Sequence, residues 1–506
     1  MAELPRQLVG LMSPGAYPHP VREVQLVETH ISWVLLTGEF AYKIKRPVAH
    51  PFLDLRAPER RAFYCAEELR LNRRFAPELY LDVCEVREEG GAVRIGGGGR
   101  IVEHCVKMRQ FDRREELDRL LAAGQIQPDA LDAFGRDLAQ IHATLPVASA
   151  AEPWGSVEQV RRVVLDNIQQ YEQAAARAGF AAERNLRAEL TVCLGALADE
   201  IETRRAHDRV RECHGDLHAR NIVRRGGKLV AFDCIEFEPA FRWIDIAEEV
   251  ALLVADLRAR GHPRHAHAFL SGYLSQSGDF ALCRVLDLYR AHRALTRAKV
   301  AALEGAQADH DALLREARRA LTHKSPLLVL TTGLSGSGKT WLAQRLAPDL
   351  GAIHLRSDVE RKRLAGLAEH ADSRSPTGGG LYTADNSAQV YAHLERCAED
   401  VLTGGYSVIV DATFLLRAQR AQFAELARRA SARLQVILCD APLEVLRQRI
   451  TDRHAARSDA SEADLAVLDW QLRHREPIDP AEGLDVVKVS ASAPESIGSA
   501  LDALRT

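Results

Sequence analysis

The sequence lacks the marks of several protein classes. No cysteine stands in a C-x-x-C pair or beside histidines at zinc-ligand spacing, and nine cysteines, an odd number, cannot all pair. A disulfide framework and a zinc ribbon are therefore excluded, and Cys65, Cys105 and Cys439, set in apolar runs, read as reduced core residues. No apolar run reaches the ~18 residues of a membrane span. The opening MAELPRQLVGLMSPGAYPHP carries Glu3 and Pro5 where a secretory leader needs a basic start and a long apolar stretch. The expectation is a cytoplasmic protein with no membrane association and no obligate protein partner. Charge of one sign is missing too: a formal net charge of -3 and a pI of about 6.7 leave no global basic field of the kind that holds nucleic acid, so any basic groove must be local. No repeat at a period of about 20 to 50 residues is found, so repeat architectures are out.

What is present fills more than one core. A chain of 506 residues exceeds the roughly 250 to 300 residues at which a single core stops growing, so two or three domains are expected. With 46% hydrophobic and 27% charged residues, nothing biases the chain toward disorder. Residues 22–48 read as a β-hairpin, with VQLVETHISWVLL and FAYKIKRP alternating around Thr37-Gly38-Glu39. A helix is expected over 58–75, strands over 80–87 and 100–108, helices from 114 to 205, a compact β element over 209–238, and helices again from 244 to 321. That order is α+β, a small mixed β lobe followed by a larger helical lobe.

His323-Lys324-Ser325-Pro326 breaks the last helix, because proline cannot donate to the ladder and disfavours helix in the residue before it. This places a boundary between domains at 1–322 and 326–506. From Leu327 the pattern becomes α/β: strands LLVLTT, AIHL, SVIVDA and LQVILCD alternate with helices beginning at Lys339 and Asp358 and spanning 417–430. Such alternation makes a doubly wound parallel sheet.

Gly333-Leu334-Ser335-Gly336-Ser337-Gly338-Lys339-Thr340 fits G-x-x-x-x-G-K-[ST] in full, after an apolar strand and before a helix. In such a P-loop the glycines let backbone N–H groups face the phosphates of ATP, the helix N-terminus adds its dipole, Lys339 reaches the β- and γ-phosphates and Thr340 ligates magnesium. Asp411 ends SVIVDA at the carboxyl edge of the sheet, as a Walker B carboxylate on the metal or as an N-cap of the next helix. Asp358, in HLRSDVERKRL, is either a base for an acceptor hydroxyl, with Arg356 nearby for an anionic group, or an N-cap. Arg447, Arg449, Arg453 and Arg457 recur at near-helical spacing, as a lid over the transferring phosphate or as a solvated helix face.

Upstream, His214-Gly215-Asp216-Leu217-His218-Ala219-Arg220-Asn221 sets Asp216 and Asn221 five positions apart, and Asp233 follows after a short hairpin. Kinase chemistry needs that arrangement: Asp216 to orient and deprotonate the acceptor hydroxyl, Asn221 and Asp233 to hold magnesium on ATP. Phe40-Ala41-Tyr42-Lys43 occupies the place of V-A-I-K, so Lys43, or Lys45 on the same face, would bridge the α- and β-phosphates. Glu68, or Glu67, in the following helix would be its partner.

Over 326–480 the chain resembles P-loop kinases of the polynucleotide kinase, gluconate kinase and zeta-toxin neighbourhood, through GLSGSGKT, RSD with RKRL, YTADNSAQVYAHL, VIVDATF and the arginine-rich stretch ending in Gln471. The resemblance implies that Asp358 is the substrate-side base, Asp411 a nucleotide-site acid, and Arg449 or Arg453 a lid arginine. Over 25–300 it resembles the aminoglycoside phosphotransferase-like branch of the two-lobed protein-kinase-like fold, and the group of such domains fused to P-loop kinases, through ETHIS, AYKIKRP, ELRLNRRFAPELY, VKMRQF, HGDLHARNI, FDCIEF and RWIDIAEE. That resemblance gives the chain around Asp245 a supporting role beneath the catalytic loop. Two departures stand out: no glycine-rich phosphate loop is present in the hairpin, and the acid beyond Asp245 is Glu249.

The expected protein is thus a bifunctional ATP- and magnesium-dependent kinase acting on hydroxyl groups. Its acceptors would be small molecules, or RNA or DNA 5′ ends at the C-terminal site. The competing reading makes the N-terminal domain a ligand-sensing pseudokinase that gates the C-terminal enzyme.

Overall fold

The computed structural model describes residues 4–50, 53–181, 183, 185–369, 371, 384–456, 461, 463–490 and 495–505. An antiparallel sheet of six strands opens the chain, in the order Gln25–Glu28, Ser32–Leu36, Phe40–Lys45, Arg100–Arg109, Tyr80–Glu89 and Ala92–Ile95. The expected hairpin over 22–48 is instead a three-stranded meander. Thr29 breaks its first arm, because the Thr29 N–H donates to Ser32 O at 2.8 Å and Thr29 Oγ1 accepts from the Ser32 N–H at 2.9 Å. Those bonds close a turn where alternation alone reads as one strand. The helix Pro58–Asn72 packs across this sheet, with Pro58 in its first turn where a missing N–H costs nothing.

A helical lobe follows. The helices Pro128–Thr144, Val157–Ala178, Ile246–Ala259, Pro263–Ser277, Leu282–Glu304 and Gln307–Leu321 bury a continuous apolar core. Between them lie two small antiparallel sheets, Ile222–Arg225 with Lys228–Ala231 and Val210–Glu212 with Trp243–Asp245, which frame His214 to Asp233. The chain from Leu327 forms a five-stranded all-parallel sheet in the order Ile353–Arg356, Val408–Asp411, Leu327–Thr332, Arg433–Asp440 and Val486–Ser490, the last strand lying beyond those read from the sequence. Helices cover it, and the order changes direction at Leu327–Thr332, so ligands are expected at the carboxyl ends around that strand. Among the described residues, no helix is long and apolar enough to cross a membrane. All nine cysteines are free, with Cys65, Cys105 and Cys439 buried.

The two regions share one apolar core, which runs from the helical lobe into Leu328, Leu330, Val390 and Val408 of the parallel-sheet region. Gly404 shows how close they come, since a Cβ on it would collide with the carbonyl oxygen of Cys283. Around that seam Arg284 Nε donates to Asp400 Oδ1 at 2.8 Å, Arg136 Nη1 to Glu369 Oε2 at 2.7 Å, and Asp287 accepts from Arg290, Lys324 and Tyr406. Gly404→Ala should therefore strain the seam by ~1–3 kcal/mol, the usual scale of overpacking. Calorimetry should show one unfolding transition with a lowered midpoint; two independent transitions would show that the seam does not bind the halves into one unit.

Candidate active sites

The N-terminal cleft is built around charge that water does not reach. Lys43, on the strand Phe40–Lys45, places Nζ 2.8 Å from Glu68 Oε1 and 2.5 Å from Asp233 Oδ1. Alternation puts Lys45 on the same face, but its side chain is fully buried and bridges Glu68 and Glu236. Of the two lysines, Lys43 reaches the cleft. Glu68 meets both, while Glu67 pairs with Arg70 at 2.8 Å on the outer side of the helix. Burial alone would raise the Glu68 carboxyl, but the two ammonium groups outweigh it and hold the pKa at about 2.

Asp233 meets Lys43, the Asn221 carbonyl accepts from the neighbouring Phe232 N–H at 2.9 Å, and Asn221 in turn holds Asp216. Asn221 Nδ2 donates to Asp216 O at 3.0 Å and to Oδ2 at 3.3 Å, which leaves its amide oxygen as the atom available to a cation. Burial would push the Asp216 carboxyl up, yet His218, 3.3 Å from Oδ2, keeps it well below the usual carboxylate range. Asp233 has φ of 66°, a left-handed conformation that a non-glycine residue adopts at a cost. Its N–H donates to Tyr80 Oη at 3.0 Å and the next N–H to Asn72 Oδ1 at 2.9 Å, which holds that conformation. Carboxylate and amide oxygens of this kind suit a hard cation such as magnesium.

The carboxylate that grips the loop at His214 is Glu249, in the chain around Asp245, while Asp245 has a structural role of its own. Glu249 accepts from the N–H of His214 at 2.7 Å and of Gly215 at 2.9 Å. Burial nonetheless pushes its pKa up to about 7, the two N–H groups offsetting only part of the rise. Asp245 forms a buried pair with Arg204 at 2.7 Å and caps the next helix through the Ala247 N–H. The resemblance located the stretch of chain, and Glu249 lies one helical turn beyond Asp245, on the same face.

The second cleft lies at the carboxyl edge of the parallel sheet, a cavity of about 1040 Å³ that Lys339, Thr340, Asp358, Asp411, Arg449 and Arg453 all line. Gly333 and Gly336 have φ of 136° and 82°, and a Cβ on Gly336 would sit 2.9 Å from Leu446 O, so the loop is packed as well as turned. Ser335 and Ser337 are buried within it, and Gly338 adopts φ of 93° before the helix Lys339–Leu350. Lys339 Nζ donates to Gly333 O at 3.0 Å and Leu334 O at 2.9 Å, and burial lowers its pKa.

Asp411 caps no helix: the next one begins at Arg417 behind Leu416. Its carboxylate accepts from Thr331 Oγ1 at 3.2 Å and lies 3.2 Å from His354 Nε2, a partner the sequence did not single out. Burial opposes ionisation there, but His354, Thr340 and Lys339 hold the pKa at about 2. Asp358 lies inside the first turn of Ser357–Leu364, with Arg356 at the N-cap position, so the N-cap alternative fails for it as well. The arginine series divides. Arg449 Nη1 donates to Gly336 O at 3.2 Å and Arg453 Nη2 to Ala463 O at 2.9 Å, whereas Arg447 pairs with Asp469 on an exposed face. Arg457 and residues 382–383 of the YTADNSAQVYAHL segment lie outside the described residues.

Residues 52–295 match the family described as "Phosphotransferase enzyme family" and residues 328–478 that described as "AAA domain". Over 479 residues the chain is 30% identical to an uncharacterized protein of Mycobacterium tuberculosis, covering 90% of this chain and 93% of that protein. The chain belongs to one family with it. A protein of Mycobacterium bovis matches to the same extent. Among solved structures, a gluconokinase from Sinorhizobium meliloti is 22% identical, covering 36% of this chain and 94% of its own with a TM-score of 0.27. A choline kinase from Cryptosporidium parvum is 8% identical, covering 59% of this chain and 88% of its own with a TM-score of 0.37. The two matched segments carry most of the residues described above, Lys43 lying just ahead of the first, and the chain is a phosphotransferase with two kinase-like modules.

The grip on the catalytic loop can be tested apart from activity. Glu249→Ala strands two buried N–H groups and should cost ~1–3 kcal/mol, with faster hydrogen exchange at the amides of His214 and Gly215. Asp245→Ala should also destabilise the module but leave those two amides protected. Equal exchange in both variants would return the supporting role to Asp245.

Proposed function

We propose that both modules, at 1–322 and 326–506, transfer the γ-phosphate of magnesium-bound ATP to hydroxyl groups of small molecules in the cytoplasm. In the N-terminal cleft Lys43, oriented by Glu68, would take the α- and β-phosphates, Asn221 and Asp233 the metal, and Asp216 the acceptor proton. In the second cleft the backbone of the phosphate loop, with Lys339 and Thr340, would hold the β- and γ-phosphates and the metal, with Asp411 beside them. Arg449 and Arg453 would neutralise the charge that develops on the transferring group. The observation that carries this reading is that Asp358 lines the same cavity as Lys339 and Asp411. A carboxylate there has no task in a switch that only hydrolyses ATP, but serves an acceptor hydroxyl. The reducing cytoplasm suits nine free cysteines.

Asp358→Asn should keep ATP affinity within a few-fold and lower acceptor phosphorylation by the C-terminal module ~10²-fold or more, the scale of a lost general base. Transfer of labelled γ-phosphate to a metabolite pool and to 5′-hydroxyl oligonucleotides, with Asp216→Asn silencing the other cleft, measures it. Transfer at the unsubstituted rate would place the base elsewhere, and transfer to the oligonucleotides alone would replace the small-molecule acceptor by a nucleic-acid end.

A further inference from the structure

The helix Leu443–Ala456 carries Arg449 and Arg453, which line the second cleft, and the helix Leu465–His474 packs beside it. Part of their attachment to the rest of the module runs through the phosphate loop itself. Leu334 of the loop packs with Leu446, Ile450 and Leu468 in a small cluster separate from the main cores. At the heart of this contact is Gln471, which is buried and uses both ends of its amide on one loop residue. Its Oε1 accepts from the Ser335 N–H at 2.8 Å and its Nε2 donates to Ser335 Oγ at 3.0 Å. The N–H groups of such a loop form an anion-binding concavity, so an amide that commits one of them sets the shape of the whole. One residue along, Gly336 O accepts from Arg449.

We propose that Gln471 is a positioning residue that fastens the arginine-bearing helical pair to the phosphate loop, so that Arg449 and Arg453 are presented to the third phosphate of the nucleotide. The proposal rests on reading this cleft as a nucleotide site. The loop's N–H groups serve the β-phosphate whether or not a γ-phosphate follows, whereas the two guanidinium groups matter only when one does. Gln471 therefore acts on discrimination between tri- and diphosphate rather than on nucleotide binding as such.

Titration calorimetry on the full chain, with Lys43→Ala removing nucleotide from the N-terminal cleft, tests this with MgADP and a magnesium-bound non-hydrolysable ATP analogue. Gln471→Met keeps the side chain's length and loses both hydrogen bonds. It should leave MgADP affinity within about 3-fold and weaken the triphosphate analogue ~10-fold or more, the scale of a lost charge-assisted hydrogen bond. Ser335→Ala, which removes only the hydroxyl partner, should shift the same ratio less. Equal weakening of both nucleotides would make Gln471 a prop of the loop and overturn the proposal, as would an unchanged ratio. Absence of any binding before Gln471 is altered would overturn the nucleotide-site reading, and the role of Gln471 with it.

Discussion

Glu68 sits where no water can pair with it, and the N-terminal cleft is organised around that fact. An ionised carboxylate in such a place is tolerated only with cations in contact, and two lysines from one strand supply them. Each lysine then needs a second carboxylate, which Asp233 and Glu236 provide from the far side of the cleft. The sheet, the helix Pro58–Asn72 and the segment after the small hairpin are thereby tied at one point. Lys45 completes the inner half of this cluster and Lys43 the outer half, so one lysine is committed to structure and the other is left at the mouth of the cleft.

The second cleft solves a similar problem with less charge and more backbone. Lys339 is buried, and its ammonium bonds to two loop carbonyls; Asp411 stands opposite with His354 and Thr331 around it. Oppositely signed groups, one at the head of the helix Lys339–Leu350 and one at the end of the strand Val408–Asp411, therefore face one cavity, at the edge where ligands bind in such folds. The loop glycines matter here for approach as much as for φ, since Gly333 and Gly336 lie against the backbone of Cys439 and Leu446.

Between the clefts runs a seam that resembles the interior of a single domain. The apolar core is continuous across it, and Gly404 lets two backbones touch. Arg356 lines the second cleft and also pairs with Glu369 at 3.0 Å, whose other oxygen is bound by Arg136 of the helical lobe. A cleft-lining arginine of one module thus shares its carboxylate partner with the other module. Close packing of this kind resists movement of one module against the other.

Residues that must be neighbours in the chain were legible in the sequence: the phosphate loop, the Asp216–Asn221 spacing, the lysine of the third strand and the alternation that makes a parallel sheet. Their chemistry depends on local backbone geometry, and local geometry is written in consecutive residues. The burial of Lys45, the grip of Glu249 on the His214 loop, and the partners His354 and Gln471 were not legible, because each depends on what lies across a cleft or beneath a loop. Glu249 reaches a residue 35 positions away, His354 one 57 away and Gln471 one 136 away. By itself the sequence determined that two kinase-like modules exist and which residues are the candidates for their chemistry. Only tertiary packing decided which carboxylate holds which backbone, and that the two modules share one core, because burial and contact are set by the whole chain at once.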